Sequence, residues 1–293
     1  MMDIIRPEYY VVGTAKAGTT SLFRYFLDHP QVFVPSNKEA YFFGKYCYED
    51  SKIETIQEYQ RIFSPAKRDD KCVEVSTSYL YSKTAASEIK EYNPDAKIII
   101  ILRNPVDRAF SNYKYKLKTG KENCFNFEDA VSMEKSRISE GEPYGFHYIN
   151  MGLYFNQVKR YIDIFDKENL LILLFDELKA EPELFYQNII EFMGVESLAD
   201  FNLSKRFNKS GKIRSKMLMR ILNGDNIFKR LVKKIVPLDK QRQVSGLLKD
   251  LNISKKKIIM RAETKSLLKE LFHDDIKKLE ACIDKDLSSW LNS

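Results

Sequence analysis

The 293-residue chain has little cysteine, histidine or tryptophan and no long apolar run. Each shortage removes a class of protein. No stretch reaches the ~18 apolar residues that a membrane-crossing helix requires. The opening MMDIIRPEYYVVG has no apolar core followed by a small-residue cleavage site, so no secretion signal is expected. Cys47, Cys72, Cys124 and Cys282 are scattered, without a C-x-x-C pair. That spacing argues against a zinc site or a disulfide framework and fits free thiols in a reducing cytosol, so a cytoplasmic location is expected. The three histidines are weak catalytic candidates. His29 precedes Pro30 and reads as a helix-end cap, His147 sits in a loop-like stretch, and His273 lies far along the chain. No internal repeat, low-complexity tract or RNA-binding aromatic motif is present, and nucleic acid is not an expected partner.

What the chain does have is core-forming material. It is 44% hydrophobic and 30% charged, as soluble globular proteins are. The net charge of +7 is unevenly placed: residues 205–261 hold 18 Lys and Arg against 3 Asp, on an otherwise acidic body. Such a segment points to an anionic partner or to a solvated helix face. Apolar, β-branched runs predict strands at 9–13, 71–76, 97–102 and 170–175. Continuous runs of this kind suit parallel strands buried on both faces. Helical spacing predicts helices over 19–27, 55–63, 83–92, 105–117, 153–165 and 182–193, several of them stopping at prolines, and further helices around 215–236 and 263–291. The alternation predicts an α/β fold, with a P-loop-like central parallel β-sheet flanked by helices and a helical C-terminal region. One domain over 1–293 is expected, with 205–261 as a basic helical insertion or flap.

The first strand runs into GTAKAGTTSL. A strand, a glycine-rich turn and a helix N-terminus converge backbone N–H groups on one point, which makes a phosphate site. Gly13 and Gly18 let the backbone approach, Thr19, Thr20 and Ser21 add hydroxyls, and Lys16 adds a charge. The nucleotide triphosphatase pattern G-x-x-x-x-G-K-[ST] is only half met, because Thr19 stands where its lysine belongs. In those enzymes a second apolar strand supplies an aspartate for magnesium. Here KIIIIL ends in Arg103, which cannot hold a metal but can fork onto a phosphate, with Ser111 in the following helix. No metal is expected between the two strand tips.

With GTAKAGTTSL and LRNPVDRAFSNY both in view, the sequence resembles the sulfotransferases that use 3'-phosphoadenosine 5'-phosphosulfate. KEAYFF, VEVSTSYL, GLYFNQVKRYIDIF, LLILLFDEL and the terminal LSSWL extend the resemblance over nearly the whole chain. It is strongest to the branch that sulfates glycans, such as the heparan sulfotransferases, and to their bacterial relatives. The resemblance implies that Lys16 contacts the oxygen bridging sulfur and the 5'-phosphate. It implies that Ala17, Gly18, Thr19, Thr20 and Ser21 hold the 5'-phosphate, that Arg103 and Ser111 hold the 3'-phosphate, and that Gly211, Lys212 and Arg214 belong to a loop over the nucleotide. Glu39 of KEAYFF falls where that branch has its catalytic base. Val75 stands where heparan-type enzymes carry a lysine, which removes one expected cation. The cysteine pair that branch carries near its C-terminus is missing as well.

The implied acceptor is a hydroxyl of a carbohydrate or glycolipid, and Tyr41, Tyr79, Tyr144 and Tyr148 are candidates to stack on sugar rings. The segment SKMLMRILNGDNIFKRLVKKIVPL mixes apolar and basic residues at helical spacing. It is a candidate for peripheral contact with an anionic membrane, for a glycan groove, or for an ordinary core-facing helix. Two other functions compete: a P-loop kinase or triphosphatase, and a non-catalytic polyanion-binding module.

Overall fold

The computed structural model describes residues 5–36, 38–44, 53–197 and 258–292, together with the backbone of 212–213 and 253–254. Its first half runs β1 (Tyr9–Gly13), α1 (Thr19–Asp28), β2 (Val32–Phe33), α2 (Ile56–Arg61), β3 (Lys71–Val75), α3 (Ala85–Tyr92), β4 (Lys97–Leu102) and α4 (Pro105–Lys118). Then come α5 (Phe127–Ser132), α6 (Glu134–Ser139), α7 (Phe155–Ile162), β5 (Leu170–Leu174), α8 (Phe175–Ala180) and α9 (Pro182–Met193). The short strands β6 (Lys212–Ile213) and β7 (Ile253–Ser254) precede α10 (Ala262–Ile283) and α11 (Ser288–Asn292).

The strands β2-β3-β1-β4-β5 form one sheet, in that order, and every pairing is parallel. Tyr9 lies opposite Val73 on one side and Lys97 on the other, and Ile98–Leu102 runs opposite Leu170–Leu174. The expected α/β class and parallel sheet are both present. Strand alternation divides the core into two layers. Tyr10, Val12, Ile98, Ile100 and Leu102 face α3, α4, α7 and α10. Tyr9, Val11, Val73, Ile99 and Ile101 face α1 and α9. Ile98–Leu102 are all fully buried, which stabilises the sheet by roughly 1.5–3 kcal/mol per side chain.

This topology places the site. The chain leaves β1 toward β2 and β3, and leaves β4 toward β5, on opposite sides of the sheet. The helices that follow, α1 and α4, cover opposite faces. The crevice between the tips of β1 and β4 is therefore a topological switch point, where open α/β sheets take ligands.

Several details depart from the sequence pattern. β2 has two residues, too few to show a period. Phe175 opens α8 rather than closing β5. The C-terminal helix breaks at Asp284, whose φ is 51°, and resumes as α11. Helices α5 and α6 are short and lie in a stretch without apolar periodicity. Nearly all of 205–261 lies outside the described residues, including the expected helix around 215–236. Within that span, β6 and β7 pair antiparallel, with Lys212 opposite Ser254. No helix among the described residues is long and apolar enough to cross a membrane.

Candidate active site

Three segments meet at the β1/β4 crevice: the turn after β1, the start of α4, and residues 38–43. The turn is shaped by Gly18, which has φ 86° and forms the N-cap of α1. A side chain there would place its Cβ 2.8 Å from Leu178 and 3.1 Å from Phe175. Among the described residues no side chain caps α1, and the positive end of its dipole opens onto the turn. Thr20 and Ser21 are half-buried at that helix start, and Ala17 and Thr19 are buried.

Arg103 and Lys16 come together directly: the Arg103 guanidinium donates from Nη1 to the Lys16 carbonyl at 2.8 Å. The guanidinium also lies 4.8 Å from the Phe175 ring centroid. Its Nε is buried without an acceptor among the described residues. Burial first of all lowers Arg103 from the usual arginine range. Asn104 caps α4 by accepting from the Val106 and Asp107 amides, and its Nδ2 donates to the Trp290 carbonyl. The terminal LSSWL stretch thereby supports the Arg103 corner, and Tyr154 adds a bond to the Arg103 carbonyl.

The Lys16 ammonium sits 4.1 Å above the Tyr115 ring and makes no ion pair among the described residues. Burial, then the positive charges of Lys38, Arg103, Lys118 and Lys114, lower Lys16 to about 8. Five cations gathered at one crevice repel each other, with Glu39 on Lys38 and Asp107 and Asp176 near Arg103 offsetting only part of that charge. Lys114 and Lys118 were not picked out by the sequence motifs. Their spacing from Ser111 along α4 puts all three on one helix face, which is the signal that marks them. Ser111 is half-buried there.

Lys38 is the other addition. Its ammonium donates to Thr19 Oγ1 at 3.1 Å and pairs with Glu39 Oε1 at 3.1 Å. A lysine from a distant segment thus reaches the residue that occupies the triphosphatase lysine position. It brings a further cation to the turn after β1. No local motif encodes this contact.

Glu39 has a φ of 68°, and its amide bonds the Val75 carbonyl at 2.9 Å. Its carboxylate accepts from the Thr77 amide at 2.8 Å and the Thr77 hydroxyl at 2.9 Å. The apolar neighbours behave otherwise than the sequence run implies. Phe42 stacks on Tyr59 at 4.4 Å and Phe43 packs edge-on against Tyr10, both turned into the core. On the other side, burial and then the charge of Glu39 hold the Tyr144 hydroxyl well above the usual phenol range.

Of the four tyrosines considered for sugar stacking, two are excluded. Tyr79 and Tyr148 are fully buried, hydrogen-bonded to Glu74 and Glu122 respectively. Tyr41 and Tyr144 are half-buried beside Glu39. The histidines stay away from the crevice chemistry. His29 caps α1 and bonds the Glu196 carbonyl, His147 lies between Tyr81 and the Glu142 carbonyl, and His273 is exposed beside Asp274. Gly211 and Arg214 lie outside the described residues, while the backbone of β6, with Lys212, runs alongside α4. No cluster of metal-ligating side chains occurs among the described residues.

The family model for the sulfotransferase domain matches residues 6–283. The chain belongs to the sulfotransferase family. Its sheet and helices align with the crystal structure of a sulfotransferase from Alicyclobacillus acidocaldarius at a TM-score of 0.76 and 28% identity, covering 98% of this chain and 99% of that one. A bifunctional heparan sulfate N-deacetylase/N-sulfotransferase 4 of Mus musculus is 25% identical over 87% of this chain. The match spans only 30% of the mouse protein. The Homo sapiens heparan sulfate glucosamine 3-O-sulfotransferase 6 is 26% identical over 69% of this chain and 57% of its own length. The glycine-rich turn around Lys16 and the strand tip at Arg103 share the crevice.

Proposed function

We propose that this sulfotransferase moves the sulfuryl group of 3'-phosphoadenosine 5'-phosphosulfate to a hydroxyl of a carbohydrate or glycolipid. The observation that carries this is the crevice itself: Lys16, Lys38, Arg103, Lys114 and Lys118 gather there beside the start of α1, and burial, followed by their mutual repulsion, lowers Lys16 to about 8. A nucleotide with phosphates at both ends suits that geometry. The Arg103 Nε, buried without an acceptor among the described residues, supports the fit.

On this reading the leading N–H groups of α1, with Ala17, Gly18, Thr19, Thr20 and Ser21, hold the 5'-phosphate. Arg103 and Ser111 hold the 3'-phosphate, and Gly211, Lys212 and Arg214 close over the nucleotide. The acceptor oxygen forms a bond to sulfur as the bond from sulfur to the 5'-phosphate oxygen breaks. Lys16 stabilises the charge that grows on that departing oxygen, a contribution of about 10²–10³ in rate for one such donor. Glu39 takes the acceptor proton, and the bisphosphate leaves. Lys38 and the two Thr77 bonds keep the Glu39 carboxylate aimed. The kinship with heparan sulfate enzymes supports a glycan acceptor, and the half-buried Tyr41 and Tyr144 beside Glu39 suit a sugar face.

Calorimetry with 3'-phosphoadenosine 5'-phosphate against ATP-Mg tests this. Tight, metal-independent binding of the bisphosphate that is lost in Lys16→Ala is expected. Preference for ATP-Mg overturns the proposal in favour of a kinase. The basic 205–261 segment is proposed to touch anionic membrane at its periphery; flotation with anionic vesicles at low salt tests that, and no recovery discards it.

A further inference from the structure

The residues that follow Glu39 form neither helix nor strand, yet Glu39 and Tyr41 both hold left-handed backbone, with φ of 68° and 53°. Side chains of the β3 loop hold this segment. The Ala40 amide donates to Ser76 Oγ at 3.0 Å, and the Phe42 and Phe43 amides donate to the Tyr79 hydroxyl at 3.0 and 3.4 Å. Both oxygens serve as acceptors only if their own hydrogens point elsewhere.

They point to Glu74. This β3 carboxylate is buried and forms no ion pair among the described residues. Ser76 Oγ donates to its Oε1 at 2.8 Å, Tyr79 donates to the same oxygen, and Tyr59 of α2 donates to Oε2. An ionised carboxylate offers acceptors only. It therefore draws in the hydroxyl hydrogens of Ser76, Tyr79 and Tyr59 and leaves the Ser76 and Tyr79 lone pairs facing the amides of Ala40, Phe42 and Phe43. Burial pushes Glu74 up to about 7, against the three hydroxyl bonds that favour its charged form, so the carboxylate is fully ionised above that pH.

We infer that Glu74 is a positioning residue, whose carboxylate polarises Ser76 and Tyr79 so that they clamp the Ala40–Phe43 backbone and hold the Glu39 carboxylate on Thr77. Its value for catalysis rests on the proposal that Glu39 is the base, but the clamp itself does not. A glutamine at this position reverses the polarity. Its amide donates to a hydroxyl, which must then turn its hydrogen toward backbone amides that are themselves donors.

The test is made on the full chain with Glu74→Gln and Tyr79→Phe, the second losing a single oxygen. Hydrogen exchange at Ala40, Phe42 and Phe43 is expected to quicken by about tenfold or more in Glu74→Gln, and at Phe42 and Phe43 in Tyr79→Phe, while β1 and β4 keep their protection. The Glu39 side-chain ¹³C carboxyl resonance, assigned through Glu39→Gln, is expected to move in both variants. Unchanged exchange over 40–43, an unmoved Glu39 resonance, or a loss of protection spread evenly across β1 and β4 each overturns the inference. If Glu74→Gln does not fold, Tyr79→Phe decides alone. Full turnover in Glu39→Gln instead removes the base assignment and leaves the exchange result standing.

Discussion

Raising the pH from 7 to 9 is predicted to weaken nucleotide binding through Lys16. In the free protein, burial and four neighbouring cations lower this lysine to about 8. At pH 7 about nine-tenths of it is charged, and at pH 9 about one-tenth. A bound phosphate favours the charged form, so binding above pH 8 takes up a proton. Affinity for 3'-phosphoadenosine 5'-phosphate should then fall about tenfold across this range, or about 1.4 kcal/mol. The window lies above the second phosphate ionisation, near about 6, so the ligand's own charge stays constant. The free fold moves the other way. The unfolded lysine keeps its proton up to about 10.5, so the unfolded chain binds more protons between about 8 and about 10.5. Folding stability attributable to Lys16 therefore rises with pH in that interval, while affinity falls. Titration calorimetry in two buffers of different ionisation enthalpy counts the protons taken up. Lys16→Gln should bind more weakly with a flat profile, and Lys16→Arg should bind with a flat profile because arginine stays charged. A flat wild-type profile, or the wild-type slope retained in Lys16→Gln, refutes the reasoning.

Glu39→Gln should leave nucleotide affinity intact and cut turnover by about 10²–10⁴, measured by sulfate transfer to a glycan acceptor; undiminished turnover moves the base elsewhere. Gly18→Ala should destabilise the fold by about 1–3 kcal/mol in denaturant unfolding, because its Cβ meets Leu178 and Phe175 at a left-handed position. Glu122 and Arg137 form a buried fork at 2.8 and 2.9 Å, joined by the Tyr148 hydroxyl. Burial alone would raise Glu122, but these bonds outweigh it and hold it at about 2, so its stabilisation is present above about 4.5 and is lost as pH falls toward about 2. Glu122→Gln should cost up to about 3–5 kcal/mol in equilibrium unfolding, since it leaves the buried Arg137 charge with only the more exposed Glu142, at 3.6 Å, as an ion partner among the described residues. An unchanged midpoint would mean that the fork contributes nothing.

Much of this protein follows from local chemistry. The run KIIIIL suits a strand buried on both faces, and β4 begins and ends where that apolar run does. Pro105 marks the start of α4, and Gly18 marks a turn that no other residue closes as easily. These signals are short-range, set by sterics and side-chain period, so the chain order displays them directly. They were enough to single out Lys16 and Arg103, whereas Glu39 was singled out by the resemblance of KEAYFF to the glycan-sulfating branch. What they lacked was any statement of which residues face each other. Parallel pairing of β1 with β4 brings Arg103 onto the Lys16 carbonyl across 87 residues. A left-handed turn at 39–41 sends Lys38 to Thr19 and Phe42 and Phe43 into the core. The buried Glu74 clamp depends on α2 delivering Tyr59 from another layer. Electrostatic and hydrogen-bond partners act through space, and only the packed sheet brings residues so distant in sequence within 3 Å of each other.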